Sequence, residues 1–419
     1  MSKKFGVLLI SLLLVGIFST LALGAKVTVT QWNFPLLANE MEVLWKPLIE
    51  KFEAQNPDIE IKVEILPWGG RAEKLLTAVA AKRPPDVAYL NEFFLQMFAA
   101  RGALIPLEKY LSREALARYP ESLIDAVTYN GHVYLAPALV STVGYLYNLR
   151  VLKKVGWDVN KLPETWDDLL KLCKMVKEYA MKTGEKIWTI GYPASMEDTL
   201  NMTLYPLIWQ AGGDVLTPDL KKAAFNSWAG IKALTFVKLL FDEGYAPKDL
   251  IQAGLSTNYF LNDEIAMWFG ADAWGVSQLL AEDPNLADYA KFGPILKENK
   301  KITYGTMGAW AIFRGSRNPK AAAKWVEFLI SPENNTFYNK TIGYMSPLKG
   351  APPLYADNPF LGVLETQKVF TRGGLIVKDE RRVMDVIKEA QQAVIVGQKT
   401  VIEALNDAEK EVNFILEGF

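Results

Sequence analysis

Ile59-Glu60-Ile61-Lys62-Val63-Glu64-Ile65 alternates apolar and charged side chains with a period of two, the pattern of a strand with one polar face. Leu75, Leu76, Val79 and Ala80 then recur at helical spacing, Pro84-Pro85 ends that helix, and Val87-Ala88-Tyr89-Leu90 follows as an unbroken apolar run. Such a run suits a strand buried on both faces. Upstream, Val27, Val29 and Trp32 mark another strand, and Met41, Leu44, Trp45, Leu48, Ile49 and Phe52 fall on one helix face that Pro57 terminates. Strand, helix, strand, helix, strand in that order predicts βαβ units and a mainly parallel sheet flanked by helices.

The second half repeats the α/β mixture with more helix. Thr165 stands three residues before Asp168 and ahead of Leu169, Leu170, Cys173 and Val176, a capping pattern that predicts a helix reaching about Tyr179. Further helical faces lie at Ile231, Leu234, Val237 and Phe241, at Ala322, Trp325 and Leu329, and at Val401, Leu405, Ala408, Val412 and Ile415. No long Gly/Ser or Pro-rich linker divides the 419 residues, which favours two lobes sharing several crossings over two separate beads.

Composition narrows the function. Lys+Arg 46 against Asp+Glu 47 leaves a net charge of -1, so there is no global field for a polyanion, and nucleic acid is not expected as a partner. One His, His132, and one Cys, Cys173, exclude His/Cys metal clusters and disulfide frameworks; no cofactor and no metal is expected, and a purely carboxylate-bound ion is the alternative that composition leaves open. At the amino terminus, Lys3 and Lys4 precede an apolar run from Phe5 to about Leu23 that ends in Ala22-Leu23-Gly24-Ala25. That pattern predicts a cleavable secretory signal over residues 1–24, with a retained anchor as the alternative because the run is just long enough to span a bilayer, and with no Cys after the run a lipid anchor there is not expected. The mature chain is expected to be periplasmic or otherwise extracytoplasmic.

Catalytic chemistry finds little support. The chain holds no Gly-rich dinucleotide loop and no phosphate loop. His132 sits in the turn sequence Asn130-Gly131-His132, and Cys173 falls on the apolar stripe of its helix. Acidic pairs abound among 47 carboxylates, but no motif selects two of them as a glycosidase pair.

Aromatic residues do stand out where strands end. Trp32 closes the first strand, Trp68 follows the second in Pro67-Trp68-Gly69-Gly70, and Trp274 follows Met267-Trp268-Phe269-Gly270. Trp310 lies near Gly308 in another strand pattern, and Trp209 precedes Gly212-Gly213-Asp214. Ligands of open α/β sheets bind beyond the carboxyl ends of the strands. An indole there offers a flat apolar face and one N–H, which suits the C–H face of a sugar ring. Trp45, Trp166, Trp228 and Trp325, inside helix patterns, are expected to pack in the core or along helix edges.

A resemblance emerges from elements spread almost end to end: Phe52 with Asn56-Pro57; Pro85-Asp86-Val87 with Gly102 to Leu107; Asn130 to Tyr134 with Pro137; and Tyr147-Asn148 with Pro163-Glu164-Thr165-Trp166. It continues through Gln210-Ala211-Gly212-Gly213, Phe260-Leu261-Asn262 with Ala266-Met267, Trp310-Ala311-Ile312, and Ala322 to Ser331-Pro332-Glu333. In these the chain resembles the extracellular solute-binding proteins of ABC importers, the family that includes maltodextrin-binding and other sugar-binding receptors. The resemblance implies an α/β, two-lobed periplasmic-binding-protein fold, each lobe a mainly parallel sheet flanked by helices, with crossings near Leu139, Thr306 and Ser346. The lobes would be residues 25–139 with 307–345, and 140–306 with 346–419.

It further implies a carbohydrate ligand in the interlobe cleft, membrane-embedded ABC permease subunits as partners, and a monomeric, non-enzymatic receptor. The amino-terminal lobe would contribute Trp32, Asn33, Trp68, Asn91, Glu92, Gly308 and Trp310, and the other lobe Tyr145, Trp209, Asp214, Asp272, Trp274 and Arg372. Trp274 matches the aromatic of the family's Ala-Met...Gly-x-Trp stretch. Ser141 stands where maltodextrin-binding relatives carry a Glu, and Met384 where they carry a second-lobe Trp, so a maltose-type ligand is not implied. The alternatives are a binding protein for a polyol, a phosphorylated polyol or a peptide, and a secreted glycosidase.

Overall fold

A computed structural model of the chain describes residues 26–418 apart from Ala38, Phe93 and Lys378. The segment read as a secretory signal lies outside the described residues. The alternating run becomes the strand Ile59–Ile65, and the apolar run the strand Val87–Asn91, buried at every position. The helix between them is Arg71–Ala80. Ahead of them, a wide helical turn at Met41–Trp45 leads into the helix Lys46–Gln55. Thr165 caps the helix Trp166–Thr183 by accepting from the Asp168 amide at 3.1 Å, and that helix runs four residues beyond the expected Tyr179.

Two sheets organise the molecule. The first has the order Ile59–Ile65, Val27–Asn33, Val87–Asn91, Met307–Ile312, Leu135–Val140. The second has the order Ala290–Phe292, Gly144–Asn148, Ile265–Ala271, Trp188–Gly191. Both are mixed, which corrects the expectation of mainly parallel sheets. In the first, Val27–Asn33 is parallel to both neighbours, but Met307–Ile312 is antiparallel to both of its own. In the second, only Trp188–Gly191 pairs in parallel with Ile265–Ala271. The reason is connectivity. Met307–Ile312 enters the first sheet from the second lobe, and Gly144–Asn148 enters the second sheet from the first, so each runs against the strands it joins.

The apolar interior divides accordingly. One core draws its residues from Val29 to Leu139 and from Met307 to Tyr344, with Trp310 edge to face against Trp45, Tyr89 and Tyr338 at ring separations of 5.6 to 5.8 Å. A second core spans Val143 to Tyr304 and Leu375 to Ile415. A third packs on Leu146, Ile265 and Trp268 of the second sheet and includes Met345, Phe360 and Leu364. Three chain crossings run side by side between the sheets. Val140 and Met345 exchange backbone hydrogen bonds at 2.9 and 3.0 Å, the Ser141 amide donates to the Thr306 carbonyl at 2.9 Å, and the Val143 amide to that of Tyr304 at 3.0 Å.

Candidate functional site

Strand register sets the site. Gly308 pairs with Asn91 and Met307 with Val140, so the carboxyl end of Val87–Asn91 lies at the crossings. The parallel neighbours Val27–Asn33 and Ile59–Ile65 end on the same edge. In the second sheet Gly144, just past the first crossing, pairs with Ala271, which puts the carboxyl end of Ile265–Ala271 at the crossings too. The loops after these strands, which carry Trp68, Glu92, Asp272 and Trp274, therefore meet beside the crossings, where ligands of open α/β sheets bind.

On the first-lobe side Trp68 is 37% exposed, stacks on Phe34 at 5.3 Å and donates its indole N–H to the Pro35 carbonyl at 2.8 Å. The guanidinium of Arg71 lies 4.6 Å from the Trp68 ring and 5.1 Å from that of Phe94, and donates to Asn91 Oδ1 at 3.0 Å. Burial pulls Arg71 down to about 10, which leaves it cationic at neutral pH. Asn91 also donates to Thr306 Oγ1 at 3.2 Å and to the Met307 carbonyl at 3.3 Å. Trp32, half-buried, has the Lys74 ammonium 5.2 Å from its ring.

Glu92 joins the two sides. Its carboxylate accepts from the Met307 amide at 3.1 Å, the Tyr304 hydroxyl at 3.4 Å and the Gly374 amide at 3.5 Å. Burial raises its pKa, partly opposed by those backbone donors.

On the second-lobe side Asp272 caps the helix Ala273–Glu282 through the Gly275 amide at 3.0 Å. Burial raises the Asp272 carboxyl, with the backbone donors acting against it. Trp274, on the first turn of that helix, is 48% exposed. Asp214 Oδ2 holds Arg372 Nη1 at 3.0 Å, and the Arg372 guanidinium covers the Trp209 ring at 4.4 Å. Trp209 itself is 1% exposed.

Several expected ligand residues lie elsewhere, each for a packing reason. Trp310 is a correction: boxed in by Trp45, Tyr89 and Tyr338, it is core and offers no face to a solute. Tyr145 is also internal, its ring 4.8 Å from Phe269 and its hydroxyl accepting from Gln210 Nε2 at 2.9 Å. Asn33 faces inward, donating to Glu40, whose carboxylate also takes the Leu36 amide and the Trp45 indole N–H at 2.7 Å each. Gly308 is a close approach: a Cβ there would sit 1.9 Å from the Tyr89 hydroxyl. Trp228, expected to pack, is 69% exposed because it occupies the first helical position of Trp228–Asp242. A hollow of about 480 Å³ lined by Trp228, Lys232 and Asn299, and another of about 700 Å³ along residues 351–368, are lined by none of the interlobe groups described above.

Cys173 is fully buried, and burial pushes its thiol up to about 12, out of range for a nucleophile. His132 pairs with Glu108 at 2.6 Å, exposed on a hairpin whose turn is Asn130-Gly131. The sequence marks Arg71 only as three residues after Trp68, and nothing in it marks Tyr304, whose hydroxyl meets Glu92.

Residues 37–336 match the family model described as bacterial extracellular solute-binding protein. The chain belongs to this family. Among relatives of this solute-binding protein, the maltotriose-binding protein of Pyrococcus abyssi is 26% identical over 319 residues, 74% of this chain and 64% of its own length. The sn-glycerol-3-phosphate-binding periplasmic protein UgpB of Escherichia coli is 25% identical over 96% of this chain and 97% of its own. An ABC transporter solute-binding protein from Thermotoga lettingae, solved bound with alpha-D-tagatose, superposes with a TM-score of 0.81 at 25% identity, over 93% of this chain and all of its own. The two-lobed architecture is thus that of the family.

Proposed function

We propose that this solute-binding protein is the extracytoplasmic receptor of an ABC importer, holding a neutral sugar or oligosaccharide between its lobes and delivering it unaltered to the membrane permease. The observation that carries the reading is the pair of exposed indoles, Trp68 and Trp274, each just beyond the carboxyl end of a strand in a different sheet. Indoles that serve packing, Trp45, Trp310 and Trp325, are 0 to 1% exposed. Ligand contact is assigned to Trp32, Trp68, Asn91, Glu92, Asp214, Asp272, Trp274 and Arg372, with the lobes divided at residues 139/140, 306/307 and 345/346. A cleaved signal, no lipid anchor and a monomeric state complete the proposal.

The phosphorylated-polyol reading draws support from the likeness to UgpB. The charges on the second-lobe side speak against it: Arg372 is paired with Asp214 and Arg381 with Asp385, whereas among the described residues neither Glu92 nor Glu380 has an ion-pair partner, and Arg71 is the cation on the first-lobe side that would favour it. A thermal-shift screen of neutral mono- and oligosaccharides beside sn-glycerol 3-phosphate tests this, since a ligand that binds the folded state raises the melting temperature. A neutral saccharide should shift it. A shift with the phosphate alone would select the second reading.

A further inference from the structure

Four buried polar atoms on one wall of the second lobe have no hydrogen-bond partner: Asn201 Oδ1, Tyr205 Oη, Trp209 Nε1 and Glu380 Oε1. Their residues are 0 to 6% exposed. Asn201, Tyr205 and Trp209 follow one another in four-residue steps through the turn Leu200–Met202 and the helix Leu204–Gln210. Arg372, Gly374 and Glu380 lie against them. Arg372 covers the Trp209 ring, a Cβ on Gly374 would come 3.1 Å from Asn201 Oδ1, and the Glu380 charge is felt at the Tyr205 hydroxyl. Gly374 also donates to Glu92, which ties this wall to the first lobe.

Buried polar groups are nearly always paired, because burial removes their water with nothing in return. Such atoms occur in both lobes, but these four share one wall beside the crossings. We propose that Asn201, Tyr205, Trp209 and Glu380 form a subsite that hydrogen-bonds the hydroxyls of a neutral sugar ring, and that the backbone at Gly373-Gly374 is a cover displaced when the solute enters. The inference rests on the receptor reading above. The donor and acceptor inventory sets the ligand class. Trp209 only donates, Asn201 Oδ1 only accepts, and Tyr205 does both. A hydroxyl also does both, whereas an ionised phosphate only accepts, and here it would lie near Glu92 and Glu380. Burial pushes Glu380 up to about 7, so part of its population carries a proton to donate.

The test uses Tyr205→Phe, Glu380→Gln and wild type, each melted alone and with D-glucose, D-galactose, D-tagatose, maltose, maltotriose and sn-glycerol 3-phosphate. Tyr205→Phe removes only the orphan hydroxyl. It should raise the melting temperature of the unliganded protein while weakening the sugar that shifts wild type by about fivefold, one hydrogen bond's worth. If wild type and both variants respond equally to that sugar, the subsite is overturned and the receptor reading stands. If Tyr205→Phe lowers the unliganded melting temperature, the hydroxyl serves folding and the subsite is overturned as well. If none of these neutral sugars shifts wild type, the failure lies in the sugar-receptor reading, and the subsite falls with it.

Discussion

Gln96 Nε2 donates to the carbonyl of Ile376 at 2.6 Å, fastening a first-lobe helix, Phe94–Ala99, to the backbone that covers the second-lobe wall. The flanking side chains divide their loyalties: Leu375 and Val377 pack in the core of the second lobe, while Ile376 packs against that of the first. The segment is therefore a clasp between lobes, and closure is where solute binding and motion meet.

Gln96→Ala removes that clasp without touching either core. A net hydrogen bond of about 1 kcal/mol corresponds to about fivefold in the closure equilibrium. Sugar affinity should fall by that order, and small-angle scattering should show a larger radius of gyration before ligand is added. An unchanged radius and an unchanged Kd would mean the contact does not hold the lobes together.

Two tryptophans once grouped as ligand contacts now separate. Trp274→Ala should leave the melting temperature nearly unchanged and weaken sugar binding tenfold to a hundredfold, the loss of about 1 to 3 kcal/mol. Trp310→Ala should cost about 3 to 5 kcal/mol of stability, because it opens a cavity among Trp45, Tyr89 and Tyr338. Denaturant melts alongside calorimetry distinguish the two; equal destabilisation would refute the division.

Gly308→Ala tests the close approach of strand and phenol. With Tyr89 Oη 1.9 Å from the new Cβ, and the ring itself walled in by Trp310 and Trp68, the expected loss is about 1 to 3 kcal/mol. Urea unfolding of the variant gives the number directly, and a wild-type midpoint would show that the ring moves freely.

Glu380 predicts a pH dependence. Its native pKa of about 7 stands above the ordinary 4.5, so the native state holds the proton more tightly than the unfolded chain. Stability from this group is full below about pH 4.5 and is lost as pH rises through 7, by on the order of 3 kcal/mol. The charges felt at Glu380 are those of Arg381, Lys388, Asp385 and Glu92, and Tyr205 and Tyr304 lie close enough to feel its own. Melts at about pH 5 and about pH 8 should show a fall in wild type that Glu380→Gln lessens. An identical fall in both would assign the dependence to other groups.

Much of the fold was legible because period and punctuation are local. The strand Ile59–Ile65 and the Thr165 cap follow from side chains within a few positions of one another. Strand direction was not legible, since it depends on Met307–Ile312 being inserted between two strands more than 150 residues upstream. The same limit explains the site. Trp274 could be read because a strand ends just before it, but Trp310 looked alike in sequence and differs only in having Tyr338 and Trp45 packed on it. Tyr205 and Glu380 could not be found, because an unpartnered buried atom is a property of packing between distant segments.

Isothermal titration of the purified protein with neutral saccharides, beside sn-glycerol 3-phosphate as the anionic counterpart, tests the central claim most directly. One neutral saccharide should bind saturably at one site per chain, be recovered without new reducing ends, and lose affinity in Trp274→Ala. Binding of the phosphate alone, or steady release of shortened sugar in proportion to protein, would contradict the account.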